Sequence, residues 1–448
     1  MKEVYSRGGV LIGNVPDNWT VNKTLRCLDM PITDGPHETP NAVDEVVGIP
    51  FVSAEAVSCG KGSIDFEHIW GFISKDYYNE CCKKYTPQID DIYMIKSGAT
   101  TGKVAIVNTK RLFTIWSPLA VFRANTFIIR PKYLFYFLQS PMYLSQVELG
   151  WNYGTQQNIG MRVLEQLYIC YPSPAEQQQI VHFLDRKCTA IDTAIEKTKK
   201  SIEKLEEYKK AVITKAVTKG IDPNAKMKDS GVEWIGEIPE NWSTPKVKYH
   251  ALFFNGDRGK NYPGDDDLQS EGIPFITSNN LHELVLNTNP SISKYITNEC
   301  YNRLGGAKIQ LNDILFCLRG SVGICAINKE LRDGTVASSL MDVRPVKIDA
   351  DFLNYYFHSE LANAQTIAYM NGSCAANLSA EAVSNYYLLL PDVTEQQQIV
   401  HFLDRKCTAI DTAIEKKKKA IEKWEEYKKS LIYYAVTGKI DCRNEAIE

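Results

Sequence analysis

The sequence predicts an α+β chain in which two globular α/β modules are carried on two long coiled-coil helices, the second half repeating the first. Three observations carry this. The stretch Glu176–Lys197, EQQQIVHFLDRKCTAIDTAIEK, returns letter for letter at Glu395–Lys416, and the likeness runs on to Asp222 and Asp441. A repeat of about half the chain is too long for a solenoid and reads as duplication. Within each copy the apolar residues step by four and three, and around the copies weaker anchors recur in the same order.

The helices come first because their pattern is the cleanest. Leu184, Cys188, Ile191, Ile195, Thr198, Ile202 and Leu205 form a coiled-coil seam, repeated by Leu403, Cys407, Ile410, Ile414, Lys417, Ile421 and Trp424. Past Leu205 the seam blurs among Tyr208, Lys209 and Val212. Ser173-Pro174-Ala175-Glu176 reads as a capping box, and Asp392-Val393-Thr394-Glu395 as the same device without the proline. Gly220 and Gly438 read as the helix stops. Helices of roughly 40 residues span about 60 Å, and two such stripes most simply pair with each other.

Gly13–Trp19 and Gly236–Trp242 open the two modules; Gly48-Ile49-Pro50-Phe51 matches Gly272-Ile273-Pro274-Phe275; and Gln88–Ile92 matches Gln310–Ile314. Asn152–Ile159 (NYGTQQNI) lines up with Asn371–Leu378 (NGSCAANL). Short β-like runs (Ile92–Ile95, Val104–Val107, Phe127–Ile129; Ile314–Leu318, Ile324–Ile327) precede helix-like Pro131–Ser140 and Asp351–Ser359. This gives a first module at 1–175, a first helix at 176–222, a linker and second module at 223–394, and a second helix with its tail at 395–448. Pro223–Gly231 is polar and aperiodic, hence the linker.

At 448 residues the chain has room for two or three cores. No leader and no apolar run of about 18 residues is found, and none of the 12 cysteines has CxxC spacing, which points to a reduced, cytoplasmic protein. Net charge is −3, with mildly positive helices and an acidic second module. This argues against DNA binding by phosphate neutralisation alone, and leaves open base reading with a partner supplying charge.

No catalytic constellation emerges. Gly98-Ala-Thr-Thr-Gly102-Lys103-Val104 has one residue too few for a P-loop and lacks the hydroxyl for Mg²⁺. It reads as a Gly turn that touches phosphate through Lys96 and Lys103. Pro391-Asp392 with Asp404-Arg405-Lys406 imitates a nuclease pattern but belongs to the helical repeat. The proline-rich loop and Gly-rich turn that base methylation needs are missing, and the seven histidines show no metal spacing. What remains is loops with base-reading chemistry. The DNA-binding candidates are Lys96, Ser97, Thr100, Thr101, Lys103, Trp151, Asn152, Tyr153, Thr155, Gln156 and Gln157 in the first half. In the second they are Thr277, Ser278, Asn279, Asn280, Arg319, Ser321, Asn371 and Ser373.

The opening motif ending in Trp242, the Ile-Pro-Phe segments, the Gly154–Ile159 loop, and Glu-Gln-Gln-Gln-Ile-Val starting each duplicated helix together resemble the specificity subunit of a type I restriction–modification system. The resemblance covers nearly the whole chain and departs at Ser373-Cys374-Ala375-Ala376, where the second half lacks the Thr-Gln of the first. It implies two target recognition domains, each reading half of a split, asymmetric site in double-stranded DNA. It also implies an antiparallel helix pair that sets the gap between half-sites and docks two modification subunits. S-adenosylmethionine would sit on those subunits, and ATP and Mg²⁺ on restriction subunits that join them, with no cofactor or catalysis in this chain. A self-contained enzyme and a coiled-coil adaptor with protein-binding heads are the rival classes.

Overall fold

The computed structural model describes every residue except 7–8, 154–156, 283, 371–376 and 443–448, with backbone alone at 152, 153 and 157. The chain forms two compact units, Met1–Thr198 with Lys419–Glu448 (unit 1) and Lys199–Lys418 (unit 2).

Unit 1 is built on a four-stranded sheet ordered Thr33–Asp34, Leu119–Phe122, Ile92–Ile95, Val104–Ile106. Both of its faces are covered. Along Ile92–Ile95 the side chains alternate: Ile92 and Met94 enter the core shared with the helices, while Tyr93 and Ile95 enter a second core under the smaller sheet. That explains a strand apolar at every position. The smaller sheet orders Gly71–Ile73, Ile49–Val52 and Thr114–Ile115, the last pair parallel through Phe51 and Thr114. Unit 2 repeats the plan with Ala251–Asn255, Leu340–Pro345, Ile314–Cys317 and Cys325–Ile327 in the main sheet. Its Ile273–Ile276 strand again pairs in parallel, Phe275 opposite Thr335.

The Gln-x-x-Asp-Ile anchors have a physical cause. Asp90 and Asn312 take left-handed backbone at φ 71° and 68°, a region that Asp and Asn tolerate best after glycine. The next residue, Asp91 or Asp313, is buried and accepts the backbone N–H of Gln88 or Gln310 (2.8 and 2.6 Å). Each aspartate then holds an arginine with two bonds: Arg123 at 2.7 and 2.8 Å, Arg344 at 2.9 and 2.8 Å. Those bonds raise both guanidinium pKa values.

The long helices run Pro174–Lys219 and Val393–Val436, 46 and 44 residues. Unit 1 contains the start of the first and the end of the second, and unit 2 the reverse. In unit 1 Asp192 takes Lys428 at 2.6 Å; in unit 2 Lys209 takes Asp411 at 2.7 Å. Asp192 and Asp411 are repeat equivalents, as are Lys209 and Lys428, so one antiparallel contact is made twice. Leu184, Cys188, Ile191, Ile195, Leu403, Cys407, Ile410 and Ile414 are buried; Ile202, Leu205, Ile421 and Trp424 are half-buried. Beyond Leu205 the half-buried Lys209 and the buried Ile213 and Ala216 continue the seam, while Tyr208 points to solvent.

Each helix is fastened to its module by the same two residues. The first glutamine of the repeated run, Gln177 or Gln396, is buried and accepts the backbone N–H of Arg130 (2.8 Å) or Asp349 (2.9 Å). Its amide donates to the Pro172 or Pro391 carbonyl. Two turns on, Asp185 accepts Tyr136 and Asp404 accepts Tyr355, both at 2.8 Å. The opening tryptophans close the far end: Trp19 lies against Gly438 in unit 1 and Trp242 against Gly220 in unit 2. Both glycines are left-handed (φ 67° and 75°), and a Cβ on Gly438 would stand 2.5 Å from Pro16. No other residue fits that stop.

Three expectations need correcting. The presumed linker contains a strand, Met227–Asp229, paired with Glu237–Pro239 just as Lys2–Tyr5 pairs with Leu11–Val15. Phe127–Ile129 is a turn, because the Asn125 carboxamide oxygen captures the Phe127 N–H (3.1 Å) and leaves Phe127 exposed. Glu395 does not reach back to cap its helix; its carboxylate accepts the Trp242 indole N–H at 3.0 Å.

Candidate nucleic-acid interface

At one end of the main sheet in unit 1, backbone bonds staple loops that are remote in sequence. The Ile159 N–H donates to Lys96 O (2.9 Å), Lys96 N–H to Pro118 O (2.8 Å), and Ser117 N–H to Pro36 O (3.1 Å). Ser97 and Asn158 also form an isolated bridge. The Gly98–Lys103 turn therefore lies beside the short hairpin Asn152–Tyr153/Gln157–Asn158. Unit 2 repeats the first two bonds, Leu378 N–H to Leu318 O (2.9 Å) and Leu318 N–H to Ser339 O (2.8 Å), and adds Gly256 N–H to Leu340 O (3.0 Å). There Arg319 bridges Asn377, its Nε donating to the Asn377 carboxamide at 3.2 Å.

The structure sorts the sequence candidates. Lys103, Arg319, Ser321 and Asn279 are exposed; Ser97, Thr100, Thr101, Trp151, Thr277 and Ser278 are half-buried. Thr101 holds the turn shut, its hydroxyl donating to Gly98 O at 2.6 Å. Asn152, Tyr153 and Gln157 contribute strand backbone to the hairpin. Thr155, Gln156, Asn371 and Ser373 lie outside the described residues.

Two candidates are corrected. Lys96 is turned inward, its side chain 12% exposed and its ammonium 3.3 Å from the buried Asp34 carboxylate. It fixes the turn from below and presents no charge to a phosphate. Asn280 is fully buried: its carboxamide oxygen accepts the Thr277 N–H at 3.1 Å, and its amide donates to Asn287 O at 2.9 Å. With donor and acceptor both satisfied, it shapes the Thr277–Asn280 turn and reads no base. That turn follows the Ile273–Ile276 strand of the smaller sheet and is closed on itself.

The segments that sequence reasoning missed are Asp34–Glu38 and Asn255–Asn261. Asp34 is 1% exposed and gathers Lys84, Lys96 and His37. Burial alone would raise its pKa, but Lys84 and then Lys96 outweigh it, so the carboxyl is held below the usual range. The signal available in sequence was a glycine directly after each strand, Gly35 and Gly256. A Cβ there would collide with the carbonyl of Ile115 (1.9 Å) or Ala337 (2.2 Å).

Among the described residues no group of three or more His, Cys, Asp or Glu could hold a metal, and no helix is long and apolar enough to cross a membrane.

A duplicated α/β module, each copy fastened to a long helix by one buried glutamine and one aspartate, defines a tandem two-module scaffold. Two segments, 35–207 and 242–423, match the type I restriction modification DNA specificity domain, and the chain belongs to that family as a specificity subunit with two target recognition domains. A putative type I restriction enzyme MjaX specificity subunit from Methanocaldococcus jannaschii is 28% identical over 444 residues, covering 96% of this chain and 95% of that one. The EcoKI specificity subunit of Escherichia coli is 22% identical over 449 residues, covering 96% and 91%. A chain from a solved structure described as "Structural basis underlying complex assembly and conformational transition of the type I R-M system" shares the fold at a TM-score of 0.69 and 14% identity, covering 96% of this chain and all of that one.

Proposed function

We propose that this chain reads DNA on behalf of a type I enzyme and performs no chemistry itself. Each unit reads one half of a bipartite, asymmetric duplex site through its stapled loop edge. The helices set the gap between half-sites and dock two modification subunits, with restriction subunits joining that core. S-adenosylmethionine, ATP and Mg²⁺ belong on those partners, and the assembly works in the cytoplasm.

The observation that carries this reading is where the repeat is strict and where it is not. Burial constrains only the inward face of a helix. Yet the exposed positions His182, Arg186, Thr189 and Thr193, spaced along one helical face, are identical to the exposed His401, Arg405, Thr408 and Thr412. Packing demands no such identity; equal surfaces offered to two copies of one partner do. The loop edges differ on a common frame, Gly98-Ala-Thr-Thr-Gly102 against Gly320-Ser-Val-Gly323, as two modules with unlike targets require.

The test is a domain exchange. Replacing residues 1–175 by the corresponding segment of another family member should change one half of the methylated motif and leave the other half intact. A motif unchanged in both halves, with the hybrid shown to assemble, would overturn the reading.

A further inference from the structure

The strand-end recess beside each loop edge lies at the same topological place in both units but has different contents. In unit 1 it is a recess of about 230 Å³ between Asp34–Glu38 and the helix Lys75–Lys84, with Tyr77 and Cys81 in its wall. In unit 2 it is a recess of about 680 Å³ between Asn255–Asn261 and the segment after helix Asn298–Arg303. The frames agree in detail. A glycine with no room for a side chain follows the strand, and a cation, Lys84 or Arg303, ends the helix. A backbone bond ties the segment to the start of the neighbouring strand: Pro36 O accepts the Ser117 N–H in unit 1, and the Gly256 N–H donates to Leu340 O in unit 2.

On this frame unit 1 places a buried carboxylate, Asp34, capped by an exposed His37. Unit 2 has Asn255 there and Arg258 on the rim. The Arg258 backbone N–H is held by Asp257 at 2.7 Å, and its Nε donates to Ser338 O at 3.2 Å. The Nε bond ties the guanidinium of Arg258, which lines the recess, to the Ser338 carbonyl. The neighbouring cation, Arg303, is committed to Asp267, and its carbonyl holds Asn261 at 3.2 Å.

Resting on the DNA-reading role above, we propose that this recess is a base-specifying subsite, and that Arg258 reads a guanine in the half-site of unit 2. The choice of base over phosphate follows from the comparison of units. A phosphate contact is independent of sequence and would keep a cation at this place in both. Unit 1 instead has His37 at the position of Arg258, above an Asp34 carboxylate already answered by Lys84 and Lys96, so the side chain offered there differs between units as unlike half-sites require. An oriented guanidinium matches the O6 and N7 acceptors of guanine in the major groove.

The experiment uses the chain assembled with its modification subunits and measures methylation of duplexes randomised across both half-sites. Arg258→Ala should lose discrimination at one base position of one half-site by roughly 10- to 100-fold, with the other half-site unchanged. Arg258→Lys, which keeps the charge but not the fork, should lose the same discrimination while overall DNA affinity is retained. A uniform fall in rate over all sequences would make Arg258 a phosphate contact, and unchanged preferences would make it a bystander; either overturns the proposal. Thermal unfolding of both variants shows whether unit 2 is intact. A wild-type complex without sequence selectivity would instead remove the DNA-reading role, and this proposal with it.

Discussion

A heptad inserted into both long helices, after Thr198 in the first and before Glu422 in the second, is expected to lengthen the spacer of the recognised site and leave its bases unchanged. Seven residues add about 10 Å of helix and keep the 3.5-residue phase of the seam. At about 3.4 Å per base step the added length allows at most three base pairs. Because each step also turns the duplex, fewer are taken up, and a gain of one or two is the expected range. The pairing supplies its own control. Asp192–Lys428 lies on one side of both insertion points and Lys209–Asp411 on the other, so a double insertion preserves both ion pairs. A heptad in one helix alone puts them out of register and should abolish selective methylation. An altered half-site with an unchanged spacer would refute the ruler.

The second large effect concerns stability. Asp342 is completely buried, and its Oδ1 has no hydrogen-bond partner among the described residues. Its Oδ2 lies 3.3 Å from Arg344, which is already engaged by Asp313, so one guanidinium faces two carboxylates. Burial, and then the charge of Asp313, raises the Asp342 pKa well above the carboxylate range. The sign follows from linkage. A group whose folded pKa is raised gives its full stabilisation below its unfolded value, about 4, and that stabilisation is lost as pH rises through the folded value. Unit 1 has Val121 at the equivalent position of the sheet, buried in the same way. Asp342→Val should therefore stabilise unit 2 by about 1–4 kcal/mol at pH 8, and by less at pH 5. Calorimetry of the full chain at the two pH values checks this. A variant less stable than wild type at pH 8 would show that the Arg344 contact outweighs the buried charge.

How much could be read without coordinates follows the range of the interactions. The helices and their glycine stops were legible because each is decided within a turn or two: the seam repeats by three and four, and Gly220 and Gly438 need left-handed backbone. The Gln-x-x-Asp-Ile anchors were visible as repeats, but their cause, an aspartate gripping an arginine about 30 residues later, was not. The hairpin strand Met227–Asp229 escaped because all three residues are exposed, so it carries no apolar alternation. The loop edge was half legible. The Gly turn and the Asn152–Asn158 loop were chosen for their chemistry and proved to be neighbours through Ser97 and Asn158. Asp34–Glu38 and Asn255–Asn261 were invisible because sheet pairing brings them there from some 60 residues away. Lys96 and Asn280 misled for one reason: a polar side chain reads as available until a buried partner is seen.

The most direct measurement is a map of methylated bases in host DNA, with and without this gene, with its modification partner expressed and active. A single bipartite motif, of two unlike halves separated by a fixed gap, should disappear with the gene and return with it. A methylome unaffected by the deletion would contradict a specificity role and leave a coiled-coil adaptor as the better description of the chain.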